Sequence, residues 1–297
     1  MFKKKIIITG GAGFIGSSFA EFLNNKLKHY EIILFDKKKF FNKNKLVSKN
    51  NKIKYIQGNT INFDRYFKNM INIETIFHFG EFSRIVQSFN YTKECFVSNG
   101  IATFNVINFC KKKNIKLVYS ASSSKFGNKG KDENLSPYSW TKSKNIELIR
   151  NYNKWFNLDY EIVYFYNVYG GNHIRTGKMA TVIAIFEDQY LKKKPLTVVG
   201  NGKQKRDFTH ISDIVRGTYY AWNKNKKKEY LLYSGDNLSI ISIAKMFNCQ
   251  IKHIPERQGE RLDSIKPNFK KKIYLPFRAK IKLKDYIKKF INAQKKK

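Results

Sequence analysis

The chain has 297 residues, and 58 lysines and arginines against 22 aspartates and glutamates give it a formal net charge of +36. Hydrophobic residues at 42%, with 25 Phe and 18 Tyr, exclude intrinsic disorder, while 17 Gly and 5 Pro exclude collagen-like and linker compositions. Three scattered cysteines, Cys95, Cys110 and Cys249, exclude a disulfide-stapled secreted scaffold and read as reduced cytosolic thiols without metal-ligand spacing.

The β-branched run Ile6-Ile7-Ile8 suits a buried parallel strand. Thr9-Gly10-Gly11-Ala12-Gly13-Phe14-Ile15-Gly16 follows, and then Phe19, Phe22, Leu23 and Leu27 mark one face of a helix. A strand, a glycine turn and a helix in this order form a pyrophosphate cradle. Gly10 permits the turn, Gly13 lets backbone approach the anion, and Gly16 lets helix pack closely on strand. The anion then meets free N–H groups at the positive end of the helix. The next strand, 31–35, ends in Asp36, twenty residues after Gly16. A carboxylate there accepts bonds from the adenosine ribose and repels a 2′-phosphate, so NAD is expected rather than NADP.

Further strands are expected at 53–56, leading to Asn59, at 75–79, leading to Gly80-Glu81, and at 116–119, leading to Ser120. Helices are expected at 61–71, 91–113 and 138–156. The alternation implies a doubly wound parallel sheet with right-handed crossovers and ligands at the strands' carboxyl ends. After the fifth strand comes Ser120-Ala121-Ser122-Ser123-Ser124. Pro137 then opens a helix that carries Tyr138 and Lys142 at i and i+4 on one face. An ammonium beside a phenol favours the phenolate, which makes Tyr138 a candidate base, and a serine hydroxyl can hold the oxygen that loses its proton.

Downstream, an amphipathic helix is expected over Met179–Leu191, a strand at 196–199 and a turn at 200–202. A helix at 212–225 and a strand at 230–233 return to the main sheet. A helix capped by Ser239 runs to about Phe247, a strand covers 251–254, and a basic-faced helix closes the chain at 283–297.

With these motifs the chain resembles the extended short-chain dehydrogenase/reductases, specifically nucleotide-sugar epimerases of the UDP-glucose/UDP-N-acetylglucosamine 4-epimerase type. Further matches are His78-Phe79-Gly80, Ser98-Asn99-Gly100, Tyr166-Asn167-Val168-Tyr169-Gly170, Arg206-Asp207-Phe208-Thr209-His210 and Arg257-Gln258-Gly259-Glu260. The resemblance implies a Rossmann sheet with a smaller, interleaved C-terminal substrate-binding lobe. The expected boundaries are 1–170 for the NAD-binding part, with 206–235 returning to it, and 171–205 with 236–297 for the lobe. It also implies Ser122, Tyr138 and Lys142 as catalytic residues. Cofactor contacts would come from Gly10, Gly13, Phe14, Ile15, Gly16, Asp36, Asn59, Phe79, Gly80, Asn99, Tyr138 and Lys142. Substrate contacts would come from Ser122, Ser123, Asn167, Lys178, Arg206, Arg257 and Ser264, with Arg206 and Arg257 on a diphosphate, which guanidinium groups grip bidentately. The implied reaction is C4 epimerisation of a nucleotide-diphosphate sugar through a 4-keto intermediate. A homodimer through the helices 91–113 and 138–156, and a cytoplasmic location, follow as expectations.

The chain departs from that pattern at several points. Asn59 replaces an adenine-contacting Asp, and Tyr164 stands where Arg is common. Glu81 replaces the second of two alanines, and the simplest reading of it is a carboxylate that points outward or pairs with a lysine. Ser122-Ser123-Ser124 lacks the acidic pair of a dehydratase. Ser264, where a bulky Tyr narrows some pockets, points to N-acetylhexosamine nucleotides. Another nucleotide-sugar reaction of the same fold (6-epimerisation, decarboxylation or reduction) stays open, as does a non-catalytic RNA-binding protein. Lysine triplets from 3–5 to 295–297 are spread over the whole chain, which reads as a solvated surface and disfavours a nucleic-acid partner. Apolar runs fall short of the ~18–20 residues of a membrane span.

Overall fold

The computed structural model describes residues 4–38, 52–126, 134–177, 179–259 and 278–295. Ile6, Ile7 and Ile8 are fully buried in strand β1 (Lys4–Thr9), an interior strand of a seven-stranded sheet. Its neighbours are β2 (Tyr30–Asp36) and β3 (Ile53–Gln57) on one side. On the other side are β4 (Ile73–His78), β5 (Lys116–Ser122), β6 (Tyr160–Phe165) and β10 (Glu229–Leu232). Every pairing in this sheet is parallel. The chain leaves β1 toward β2 and later crosses back to β4. A crevice therefore opens over the carboxyl ends of β1 and β4, the switch point where ligands bind on such sheets.

Helices cover both faces. On one face α1 (Phe14–Lys26) and α8 (Ile211–Lys224) close a core around Ile6, Ile8, Phe19, Phe77 and Trp222. On the other face lie α2 (Phe63–Phe67), α5 (Ala102–Lys113) and α6 (Pro137–Phe156), around Phe35, Phe63, Phe109, Tyr119 and Tyr164. A third core lies outside the large sheet. It joins α7 (Val182–Leu191), α9 (Ile240–Met246) and α10 (Leu283–Lys295) to β8 (Leu196–Val199) and β9 (Lys205–His210). Here β9 lies between β7 (Asn167–Tyr169) and β11 (Asn237–Ser239), and β8 pairs with β12 (Ile251–Ile254).

Several expected elements need correcting. The helix expected at 61–71 shrinks to a 3-10 turn, Thr60–Asn62, and the short α2. The helix expected at 91–113 is present and continuous from Thr92, with one wide turn inside it. It is α4 (Thr92–Phe96), a π-turn at Val97–Ile101 and α5, preceded by an unforeseen α3 (Ile85–Asn90). Tyr91, whose φ −121, ψ 50 leaves the helical region, separates α3 from α4. The helix expected from Met179 starts at Val182, with Thr181 extended before it. β6, β7, β9 and β11 were not foreseen. Of these β6 carried the clearest signal, because Tyr160–Phe165 is a run of β-branched and aromatic residues, all buried.

Candidate active site

The cradle at the crevice is built by backbone contact. Gly10 has φ +69, and a Cβ placed on it would lie 2.8 Å from the Gly80 nitrogen. A Cβ on Gly80 would meet the Gly10 nitrogen at 2.6 Å, and one on Gly16 would meet the Gly10 carbonyl oxygen at 2.3 Å. The loops after β1 and β4 are thus pressed together without side chains. Thr9 fixes them, because its Oγ1 accepts the N–H groups of Phe79 (3.1 Å) and Gly80 (3.0 Å). Gly13 is the N-cap of α1 and offers no side-chain cap, so no side chain competes with an anion for the leading N–H groups. Asp36, at the end of β2, accepts the Ala12 N–H on Oδ2 (3.1 Å) and the Lys38 N–H on Oδ1 (3.0 Å). Each oxygen keeps a lone pair for a ribose hydroxyl. Gly-lined backbone, an open helix start and an oriented carboxylate fit a dinucleotide.

The reacting side chains are set by how α6 lies on β5. Ser136 caps α6 by accepting the Ser139 N–H at 3.1 Å, and Pro137 occupies the first turn. Lys142 Nζ donates to the Ser120 carbonyl at 2.6 Å. Tyr138 lies four residues earlier, a helical rise of about 6 Å, and Ser122 lies two residues further along the strand, a rise of about 6.6 Å. Because α6 follows β5 and leads to the parallel β6, both displacements run toward the carboxyl end of β5. Ser122 Oγ accepts the Ser124 N–H at 3.1 Å, which leaves its own proton to donate. Tyr138 is buried, and its backbone N–H donates to Ser88 Oγ at 3.3 Å.

Glu81 does not point outward. Its side chain is 1% exposed and forms an ion pair with Lys142, which is 5% exposed. The other carboxylate oxygen accepts Thr103 Oγ1 at 3.1 Å, Tyr119 Oη at 3.0 Å and Asn145 Nδ2 at 3.0 Å. Burial, reinforced by Glu81, raises the Tyr119 phenol well above its ordinary value. His78 lies beside this cluster between Thr9 (2.7 Å) and Thr103 (2.9 Å), and burial lowers it to about 4.

The remaining expected residues divide. Phe14 and Ile15 stand in the first turn of α1, partly buried against the core. The Phe79 ring packs on Phe19, Phe77 and Phe165, so only its backbone lines the crevice. Asn99 sits in the π-turn at Val97–Ile101. It is fully buried, and its amide is spent on the Phe82 N–H (2.7 Å), the Phe82 carbonyl (3.1 Å) and Thr141 Oγ1 (3.1 Å). Asn59 Oδ1 caps the turn after β3 by accepting the Ile61 N–H at 3.1 Å. Ser123 is buried behind Ser122. Asn167 donates to the Asp207 carbonyl at 3.0 Å. Arg206 is buried on β9 and donates to the Lys205 carbonyl at 2.8 Å, and Arg257 is exposed. Lys178 and Ser264 lie outside the described residues.

Sequence reasoning missed Arg84. It stands at the N-cap of α3, and its guanidinium donates to the Met179 carbonyl. Its Nε is buried without an acceptor among the described residues. Burial pulls it below its ordinary value and the nearby Tyr138 opposes this, which places a cation beside the candidate base. A lone Arg in a helical stretch gives no sequence signal for such a position.

Residues 6–233 match the model of the NAD dependent epimerase/dehydratase family. The chain is 33% identical over 230 residues to an uncharacterized UDP-glucose epimerase of Bacillus subtilis, covering 72% of this chain and 71% of that protein. It is 30% identical over 255 residues to an ADP-L-glycero-D-manno-heptose-6-epimerase of Brachyspira hyodysenteriae, covering 81% and 79%. Its structure superposes on a UDP-glucuronic acid 4-epimerase variant of Bacillus cereus, solved with a fluorinated UDP-sugar and NAD, with a TM-score of 0.86. That match has 24% identity and covers 98% and 99% of the two chains.

Proposed function

The chain belongs to the NAD dependent epimerase/dehydratase family, and on that premise we propose that it inverts C4 of a UDP-hexose or UDP-N-acetylhexosamine through a transient 4-keto sugar. The observation that supports this reading is the Lys142–Ser120 bond, which ties the helix carrying Tyr138 to the strand that ends in Ser122. NAD supplies the hydride acceptor when bound. The Gly10–Gly16 loop and the start of α1 would hold its pyrophosphate, and Asp36 its adenosine ribose.

Ser122 donates its free proton to the sugar 4-oxygen and orients it. Tyr138 removes the hydroxyl proton and later returns it. Lys142 has three N–H donors, of which Glu81 and the Ser120 carbonyl take two, leaving one for Tyr138 or the bound molecules. Arg257, which is exposed, and Arg206, which is buried on β9, are assigned to the substrate diphosphate on the resemblance alone. A screen of UDP-, GDP-, ADP- and dTDP-sugars, scored by product NMR, tests the assignment. Interconversion of C4 epimers is expected for a UDP-sugar, and Tyr138→Phe should lower turnover by about 10²–10⁴. Turnover untouched by Tyr138→Phe would refute the mechanism.

A second reading is favoured by Arg84. An under-bonded guanidinium beside Tyr138 fits a sugar that carries a carboxylate, as in UDP-glucuronate. In that case Arg84→Met should raise KM for UDP-glucuronate and spare UDP-glucose.

The exposed Phe96, Ile101, Phe104, Trp140 and Phe156, on α4, the π-turn, α5 and α6, support a homodimer through this face. The three free thiols fit a cytoplasmic location.

A further inference from the structure

We propose that Glu81 is a positioning residue that sets the net charge behind Tyr138, by holding Lys142 as one half of a neutral buried ion pair. The inference rests on Tyr138 being the base. A carboxylate does not enter a protein interior without full compensation. Glu81 has that compensation, in four side chains from three separate elements. Thr103 of α5, Tyr119 of β5 and Asn145 of α6 all donate to Oε1, which turns Oε2 to Lys142. The Lys142 ammonium also lies over the Tyr119 ring, 4.7 Å from its centroid.

Two titratable groups beside the pair add no charge at neutral pH. His78 of β4 is neutral between two threonines, and Cys95 of α4 is a buried thiol. Arg84 faces Tyr138 from the start of α3. Lys142 is the one cation bonded to the Glu81 carboxylate among the described residues, so Glu81 cancels the charge that would otherwise favour the Tyr138 phenolate. The carboxylate thus has two effects. It fixes the Lys142 ammonium in place, and it moves the acid limb of turnover to higher pH than Lys142 alone would give.

The test labels tyrosine with 13Cζ in the NAD-loaded, full-length enzyme and assigns the Tyr138 signal by its loss in Tyr138→Phe. The signal is titrated by NMR, and the pH profile of kcat/KM is recorded on the best UDP-sugar. In Glu81→Gln both midpoints should move to lower pH by about one to two units, the effect of removing a unit charge several ångströms away at an effective dielectric of about 20. Glu81→Ala should move them the same way and serves if the Gln variant folds poorly. Glu81→Asp keeps the charge and should move them less than half as far. A folded Gln or Ala variant that titrates like the wild type overturns the inference, as does an Asp variant that moves as far as Gln. Lack of turnover by the wild type on any nucleotide sugar would refute the proposed function instead, and the NMR titration would still decide the role of Glu81.

Discussion

His78 illustrates how single residues tie the site to stability. It is fully buried, with a hydroxyl on each ring nitrogen, and is lowered from 6.5 to about 4. The unfolded chain therefore binds a proton that the folded chain refuses as pH drops below 6.5. Stability is complete above 6.5 and is lost as pH falls toward 4, by up to about 3 kcal/mol from this residue. Urea unfolding from pH 7 to pH 4 should show this loss, and His78→Asn should be less stable at pH 7 but decline less steeply. At this scale the sequence was legible where spacing carries the chemistry. Asp36, Ser122, Tyr138 and Lys142 stand where the glycine motif, the strand end and the i,i+4 rule put them. Glu81 and Arg84 were not legible as site groups, because their partners come from distant segments: Thr103, Tyr119 and Asn145 for one, Met179 and Tyr138 for the other. The partners of Asn99 were hidden for the same reason, since its amide faces Phe82 and Thr141.

Elements follow from simpler rules, and most of them could be read. α1 depends on Gly16, where an added methyl would strike the Gly10 carbonyl at 2.3 Å, a backbone atom that cannot swing aside. Gly16→Ala should lower stability by about 1–3 kcal/mol and reduce NAD retention, measured as melting temperature and as cofactor released on denaturation. α6 depends on its cap, so Ser136→Ala should cost about 1 kcal/mol in chemical denaturation while leaving the Tyr138–Lys142 spacing unchanged. The unread elements are short or interrupted. β7, β9 and β11 form a small sheet of three to six residues per strand, in which polar residues such as Lys205, Arg206 and Asp207 hide the strand pattern. The π-turn at Val97–Ile101 also leaves the helical periodicity of its segment largely intact, so composition alone does not reveal it.

Across the whole molecule, the +36 charge is background to a site of few residues. Its expected effect is kinetic. A positive field draws in a doubly anionic sugar nucleotide, so kcat/KM should fall by about threefold or more between low salt and roughly 0.5 M KCl, with kcat nearly constant. The apolar face carries a separate expectation. Ile101, 51% exposed, and Phe104, 43% exposed, lie on the outer helix layer. If this face carries the proposed homodimer, light scattering should give a dimer mass for the wild type and a monomer mass for Ile101→Glu with Phe104→Glu. The central claim is that Tyr138, Ser122 and Lys142 drive reversible oxidation at C4, with the hydrogen returned to the carbon it left. The most direct test uses a UDP-sugar deuterated at C4 and the NAD-loaded protein, followed by NMR. The expected result is a mixture of C4 epimers that retains the deuterium at C4, with no net NADH. Deuterium lost to solvent, or a product changed at another carbon, would contradict it.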